Sequence, residues 1–188
     1  MQVSHYCSRL QHKGFTLIET IVGIVVLAIS FSVLTSLIFP IAQQSAEQLH
    51  QVKAAELAQS MLNEIQNKAF DQHSDMAGGR LRCGETGAPA CSTVMGAETG
   101  ESRATFNDVD DYNGLDYSAG EIKNSQGLPL DLYIGYAMLI RVCNDADYSG
   151  PSCDGASDAN ISTAKLIVVT ITTPTDFSMS FSTYRANF

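Results

Sequence analysis

The apolar residues of this chain form one long uninterrupted segment, followed by shorter patterned stretches. From Ile21 to Ala42 no side chain carries a charge, and Glu19 lies just inside the start of the segment. A membrane-spanning helix needs about 20 mostly apolar residues, so the pattern predicts one membrane span. A carboxylate at the entrance of a span is costly in lipid, which indicates a functional residue.

Beyond this span the apolar residues return at helical spacing. They recur every four positions at Leu57, Met61, Ile65 and Ala69. This spacing predicts an amphipathic helix with one buried face, which we place over residues 43–72. Gly78 and Gly79 interrupt the pattern soon afterwards.

The C-terminal third shows strand patterns. Apolar residues alternate from Leu132 to Val142, β-branched residues run from Leu166 to Thr172, and three apolar residues alternate with serines: Phe177, Met179 and Phe181. Pro174-Thr175-Asp176 predicts a turn between the last two strands. We therefore expect an α+β fold with an antiparallel sheet packed on the helix, and a long irregular loop over residues 78–127.

The charge distribution bears on location and partners. The formal net charge is -9, while the residues before the apolar segment include Arg9 and Lys13 and no acid. Positive residues stay on the cytoplasmic side of a span, so the acidic remainder is expected to be exported. An acidic body argues against nucleic acid as a partner.

The cysteines support an exported body. Cys7 lies before the span, and four others form two close pairs: Cys83 with Cys91, and Cys143 with Cys153. Four cysteines allow three connectivities, of which we favour the two short-range disulfides. Disulfides imply an oxidising compartment, whereas reduced thiols or a metal site are the alternatives. The absence of a C-x-x-C spacing argues against zinc.

Gly14-Phe15-Thr16-Leu17-Ile18-Glu19 resembles the leader and N-methylation motif of type IV pilins and type II secretion pseudopilins. The resemblance implies a pilin-like fold, in which a long N-terminal helix packs on a sheet. It also implies that prepilin peptidase cleaves between Gly14 and Phe15 and methylates Phe15. Residues 1–14 would then be a cytoplasmic leader, 15–42 the transmembrane and assembly helix, 43–72 the amphipathic helix and 73–188 the globular head.

The resemblance gives three residues a role in assembly. Glu19, with Thr16 beside it in the motif, is expected to pair with the N-terminal ammonium of an adjacent subunit, which would set the register between subunits. Alternatively, the Glu19 side chain extends to the lipid headgroups. Pro40 is expected to kink or locally melt the helix, either during assembly or only at the membrane boundary.

A second segment narrows the resemblance. Residues Phe106 to Gly114 resemble part of the D-type minor pilins of the mannose-sensitive haemagglutinin (MSHA) pilus. The implied function is a minor pilin that takes part in pilus assembly or priming. Its implied partners are other pilins, prepilin peptidase and the inner-membrane assembly machinery. It would be held in the inner membrane with its body in the periplasm, and later in the pilus. A tip adhesin and a type II secretion pseudopilin are the alternatives.

Candidate chemistry in the head is limited to acidic groups. Asp145, Asp147, Ser149 and Gly150 match the opening of a calcium loop, and Asp154 and Asp158 lie nearby in sequence. The glutamate expected at the twelfth position is replaced by Ala156. A plain acidic loop is the alternative. Asp108, Asp110 and Asp111 form a second group, which could bind a cation or shape a turn. We find no catalytic motif and predict neither an enzyme nor a cofactor, apart from this possible calcium.

Overall fold

The computed structural model describes residues 14–75, 82–118, 121–150, 153 and 158–188, without the side chains of residues 39–43. It divides into two compact units, Met1–Ala46 and Glu47–Phe188, which we call the N-terminal unit and the globular unit. Helix α1 (Leu17–Gln66) contributes residues to both units. Residues 1–13 of the predicted leader lie outside the described residues.

The N-terminal unit is an apolar helical segment. Leu17–Ile38, 22 residues long, could cross a membrane by its length and composition, and none of it is buried. Large side chains such as Phe15, Ile24 and Phe31 are more than half exposed. Position 40 is helical, but the Pro40 side chain is not among the described ones, so the predicted kink stays a prediction.

The globular unit has one main core. The later residues of α1 contribute apolar side chains at the predicted helical spacing, among them Leu57, Ala58, Met61 and Ile65. Strand residues such as Ile140 and Val169 belong to the same cluster. The expected packing of helix on sheet is therefore present.

Helix α1 ends at Gln66, earlier than the sequence pattern predicts. The Lys68 amide donates to the Ile65 carbonyl over 3.0 Å, so the last turn tightens. Ala69 then accepts a backbone hydrogen bond of 3.0 Å from Val109. The chain leaves the helix because the Ala69 backbone pairs with another segment, while the Ala69 side chain stays buried.

Three strands form an antiparallel sheet in the order β1-β2-β3: β1 (Ala137–Asn144), β2 (Ala164–Thr172) and β3 (Ser178–Ala186). The register places Ile140 opposite Val169, and Val169 opposite Phe181. The predicted turn between the last two strands is confirmed by a 2.8 Å hydrogen bond from the Thr173 amide to the Phe177 carbonyl.

The predicted start of the first strand at Leu132 is wrong. Residues Asp131–Tyr133 form a short 3-10 helix, and Gly135 has a φ of 82°, which glycine adopts most readily. Leu132 and Ile134 are 65% and 73% exposed, so their alternation is not that of a buried strand face.

The predicted irregular loop is well packed in its middle. Its described regular structure is a 3-10 helix, Asp110–Tyr112, and isolated backbone bridges such as Ala69 with Asp108. Phe106, Val109 and Tyr112 are buried in the main core. The Arg103 guanidinium lies 2.6 Å from Glu64 of α1 and 5.1 Å from the centre of the Tyr112 ring. This part of the loop is therefore fixed to the helix.

Candidate functional site

The start of α1 is fixed by Thr16. Its hydroxyl accepts a hydrogen bond from the Glu19 amide over 3.3 Å, and its carbonyl accepts from the Thr20 amide over 3.2 Å. A threonine at this position satisfies a backbone donor that the first turn leaves without a helical partner. The helix thus begins two residues after Phe15, with Glu19 in its first turn.

Hydroxyl side chains along this segment bond to their own helix. Ser30 donates to the Val26 carbonyl over 2.8 Å, and Thr35 donates to the Phe31 carbonyl over 2.6 Å. Such bonds keep the polar groups satisfied in an apolar environment. Among the described residues the Glu19 carboxylate has no partner. We therefore expect the partner of the Glu19 carboxylate to lie outside the described residues.

The structure contains both short-range disulfides. Cys83–Cys91 joins cysteines with Cα atoms 4.7 Å apart, and Cys143–Cys153 joins cysteines with Cα atoms 5.7 Å apart. Cys83 and Cys91 are buried beside Phe70, where they form a small second core.

The predicted calcium loop is organised by hydrogen bonds of its own. Asp145 accepts from the Ser149 amide over 2.9 Å, from the Gly150 amide over 2.9 Å and from the Tyr184 hydroxyl over 2.6 Å. The bond from Tyr184 and those from the amides lower the pKa of Asp145. Asp147 accepts from the Ser149 amide over 3.1 Å. The aspartates at the first and third positions thus shape the turn.

The glycine of this loop has a packing role. A Cβ atom at Gly150 would lie 2.4 Å from the Leu166 side chain. Asp145, Asp147 and Asp158 each have a potential ligand atom within 4.8 Å of the others. Of the two aspartates near the loop, Asp158 therefore lies within reach of Asp145 and Asp147, whereas Asp154 lies outside the described residues. Calcium at this loop stays a prediction.

The second acidic group is buried around a lysine. Lys165 on β2 is fully buried; its ammonium forms an ion pair with Asp110, lies 3.6 Å from Asp71 and donates to the Phe70 carbonyl over 2.8 Å. Burial raises the pKa of Asp110 to about 7, although Lys165 opposes this effect. Asp108 accepts from the Asp110 amide over 2.8 Å, and burial raises its pKa to about 6. The aspartates at 108 and 110 therefore shape a turn and an internal ion pair.

Asp111 instead faces two glutamates. Glu98, Glu101 and Asp111 each have a potential ligand atom within 4.8 Å of the others. Burial raises the pKa of Glu98 to about 8, and contacts with Glu101 and Asp111 raise it further. Three carboxylates thus crowd together in the middle of the connector between α1 and the sheet.

Comparison with known families bears on the N-terminal segment. Residues 9–35 match the family model described as the prokaryotic N-terminal methylation motif. The chain carries this methylation motif. This motif is of the kind that type IV pilins carry, also called the prepilin motif. The comparisons with curated proteins and with solved structures found no match.

The methylation motif covers Gly14, Phe15, Thr16 and Glu19 and ends before Pro40. The motif, the apolar helix and the three-stranded sheet together fit a type IV pilin-like α+β fold. The methylation motif supports a type IV pilin or pseudopilin.

Two features were missed at the level of sequence. Thr16-Leu17-Ile18-Glu19 has the S/T-x-x-E spacing of a helix capping box, which would have indicated the cap at Thr16. The burial of Lys165 could not be predicted in this way, because a lysine next to a buried strand ordinarily lies at the exposed end of that strand.

Proposed function

We propose that this chain is a minor pilin, a structural subunit that takes part in assembly or priming of a type IV pilus. The observation that carries the proposal is an exposed apolar helix headed by the methylation motif, with the Glu19 carboxylate unpartnered among the described residues. Such a surface is stable only when lipid or other apolar helices cover it. A subunit that moves from the membrane into a helical fibre meets both conditions.

Processing prepares this helix for assembly. Cleavage between Gly14 and Phe15 would place a methylated ammonium two residues before α1 begins. An ammonium on one subunit and the Glu19 carboxylate on its neighbour neutralise one another inside an apolar bundle, where an isolated charge is costly. Before assembly the subunit is held in the inner membrane with its globular unit in the periplasm, where the two disulfides are stable.

The decisive test is mass spectrometry of the mature N-terminus. We expect a chain that begins at methylated Phe15 in cells containing prepilin peptidase, and a chain that retains the leader in cells without it. Gly14→Ala is the matched variant, because it changes only the residue before the cut. Recovery of an intact Met1 in wild-type cells would contradict the proposal.

The proposed pathway is an MSHA-like pilus, supported by the resemblance of Phe106 to Gly114. Phe106, Val109 and Tyr112 of this segment pack in the core of the globular unit. Deletion of the gene is expected to remove or shorten pili and leave protein secretion intact. Loss of secretion with normal pili would instead identify a type II secretion pseudopilin.

A role as a tip adhesin has one supporting observation. An open cavity of about 540 Å³ lies on the globular unit, beside the first disulfide, and is lined by residues including Gln72, Ser92 and Thr99. Immunogold labelling of pili distinguishes the two roles. Label at fibre ends together with lost surface attachment would favour the adhesin, whereas label along the shaft favours a structural minor pilin.

A further inference from the structure

We propose that Glu98, Glu101 and Asp111 bind a divalent cation, and that this cation is calcium. The three residues lie in the connector between α1 and β1, and none of them belongs to the methylation motif or to the Asp145 loop. The site therefore goes beyond the proposed function in assembly, and its test is independent of it.

Two carboxylate oxygen atoms of this cluster are buried without a hydrogen-bond partner in the part of the chain that the structure describes. Asp111 is only 2% exposed, and its Oδ1 is buried without a hydrogen-bond donor among the described residues. Glu98 Oε2 is likewise buried without a hydrogen-bond donor among the described residues. A buried carboxylate oxygen without a partner is destabilising, because the loss of its hydration is not offset. A cation held between the carboxylates would neutralise both atoms, and it would compete with the proton that the raised pKa of Glu98 places there.

Hydrogen bonds fix the carboxylates of Asp111 and Glu101 in position. Asp111 Oδ2 accepts from the Asn107 amide over 2.6 Å and from the Asp108 amide over 3.0 Å, which leaves Oδ1 for an ion. Glu101 accepts from the Asn107 side chain over 2.6 Å and from the Glu98 amide over 3.2 Å. These bonds hold two of the carboxylates in place before any ion arrives, as outer-shell partners do in metal sites.

The ligand atoms and their spacing suit calcium. No ion pair from a described lysine, arginine or histidine reaches any of the three carboxylates. Calcium prefers carboxylate, carbonyl and water oxygens at about 2.3–2.6 Å, so its opposite ligands lie up to about 5.2 Å apart. The ligand atoms here lie within 4.8 Å of one another. Glu98 and Glu101 are partly exposed, which gives the ion a route from solvent and room for water ligands.

The test is calcium titration of the full chain in detergent after removal of metals by a chelator. We expect one calcium ion per chain, and a rise in Tm of about 5 °C once free calcium is 100-fold above its Kd. Glu98→Gln is expected to raise the Kd for calcium by roughly 10- to 100-fold. Hydrogen exchange of the Asn107 and Asp108 amides should slow when calcium is added, because Asp111 holds both.

Asp147→Asn is the matched control, because it removes a carboxylate from the Asp145 loop and leaves the proposed site intact. Its calcium affinity should equal that of the wild type. Calcium affinity lost in Asp147→Asn and kept in Glu98→Gln would place the ion at the other loop and overturn the proposal. Absence of calcium binding by the wild type would also overturn it. Should Glu98→Gln fail to fold, Glu101→Gln supplies the same comparison.

Discussion

Lys165 and Asp110 form an ion pair inside the globular unit, where neither side chain reaches solvent. Lys165 occupies a position on β2 that shares a sheet face with Ile167 and Val169, because alternate residues of a strand point to one side. Its ammonium also donates to the carbonyl of Phe70, which follows the end of α1. One lysine thus connects the strand, the helix end and the connector.

Removal of that ammonium should destabilise the fold. We expect Lys165→Met to lower the free energy of unfolding by about 3–5 kcal/mol, because buried carboxylates lose their counter-charge. Urea unfolding of the full chain in detergent measures the change. Lys53→Met is the control, since Lys53 lies on α1 and is partly exposed. Equal losses for the two variants would show that the buried pair contributes nothing specific.

The pH dependence of stability should be unusual. The pKa values of Asp108 and Asp110 are raised from 3.8 to about 6 and about 7, and that of Glu98 is raised from 4.5 to about 8. At these groups the folded chain therefore binds more protons than the unfolded chain between about pH 4 and pH 8. The free energy of unfolding therefore falls as pH rises through this window. Asp145, with its lowered pKa, acts oppositely and loses its contribution as pH falls below 3.8.

Thermal unfolding from pH 4 to pH 8 in the presence of a chelator tests this dependence. We expect the Tm to decrease from about pH 4 to about pH 8. Asp108→Asn should flatten the lower part of that decrease, since an amide keeps an oxygen acceptor but does not titrate. A Tm that rises steadily over the same range would disprove the assignment of the raised pKa values.

The two disulfides should contribute independently to stability. They join cysteines 8 and 10 residues apart in sequence. Each loop corresponds to about 2–3 kcal/mol in the chain-entropy account. We expect replacement of both Cys143 and Cys153 by serine to lower the free energy of unfolding by this amount, whereas Cys7→Ser in the predicted leader should change nothing. Peptide mapping without reduction should recover only the two short-range pairs, and any long-range pair would contradict the structure.

Loss of the Glu19 carboxylate should impair assembly rather than processing. We expect Glu19→Val to be cleaved and inserted normally but to enter pili at least about tenfold less, an effect that corresponds to roughly 1.4 kcal/mol. Glu19→Asp keeps the charge and should retain part of the incorporation. Immunoblots of sheared pili against whole-cell protein measure the ratio. Normal incorporation of Glu19→Val would favour a side chain that extends to the lipid headgroups.

Local patterns predicted most of the regular structure. The uncharged run after Glu19 marks the apolar part of α1, and the β-branched run from Leu166 corresponds to β2. Alternation failed from Leu132 to Ile134, where the turn at Gly135 sends apolar side chains to the surface. Periodicity reports which residues could share a face, but it does not report whether the backbone stays extended.

The polar groups of the globular unit were harder to predict, because their partners are distant in sequence. Lys165 bonds to a carbonyl 95 residues away and to a carboxylate 55 residues away. The acidic run at Asp108 to Asp111 suggests a solvated surface when it is considered alone, yet all four positions are buried. Only the tertiary fold determines which aspartate meets a lysine, which meets backbone amides and which meets other carboxylates.

The cap at Thr16 has a consequence for maturation. The Glu19 amide of the first helical turn is satisfied by Thr16, which follows the proposed cut, so this cap does not depend on the residues that the peptidase would remove. Cleavage can then change the charge and the methylation state at the tip of the helix while its first turn stays folded. A subunit built this way would leave the enzyme with its assembly end already rigid, and it would not have to refold within the bilayer.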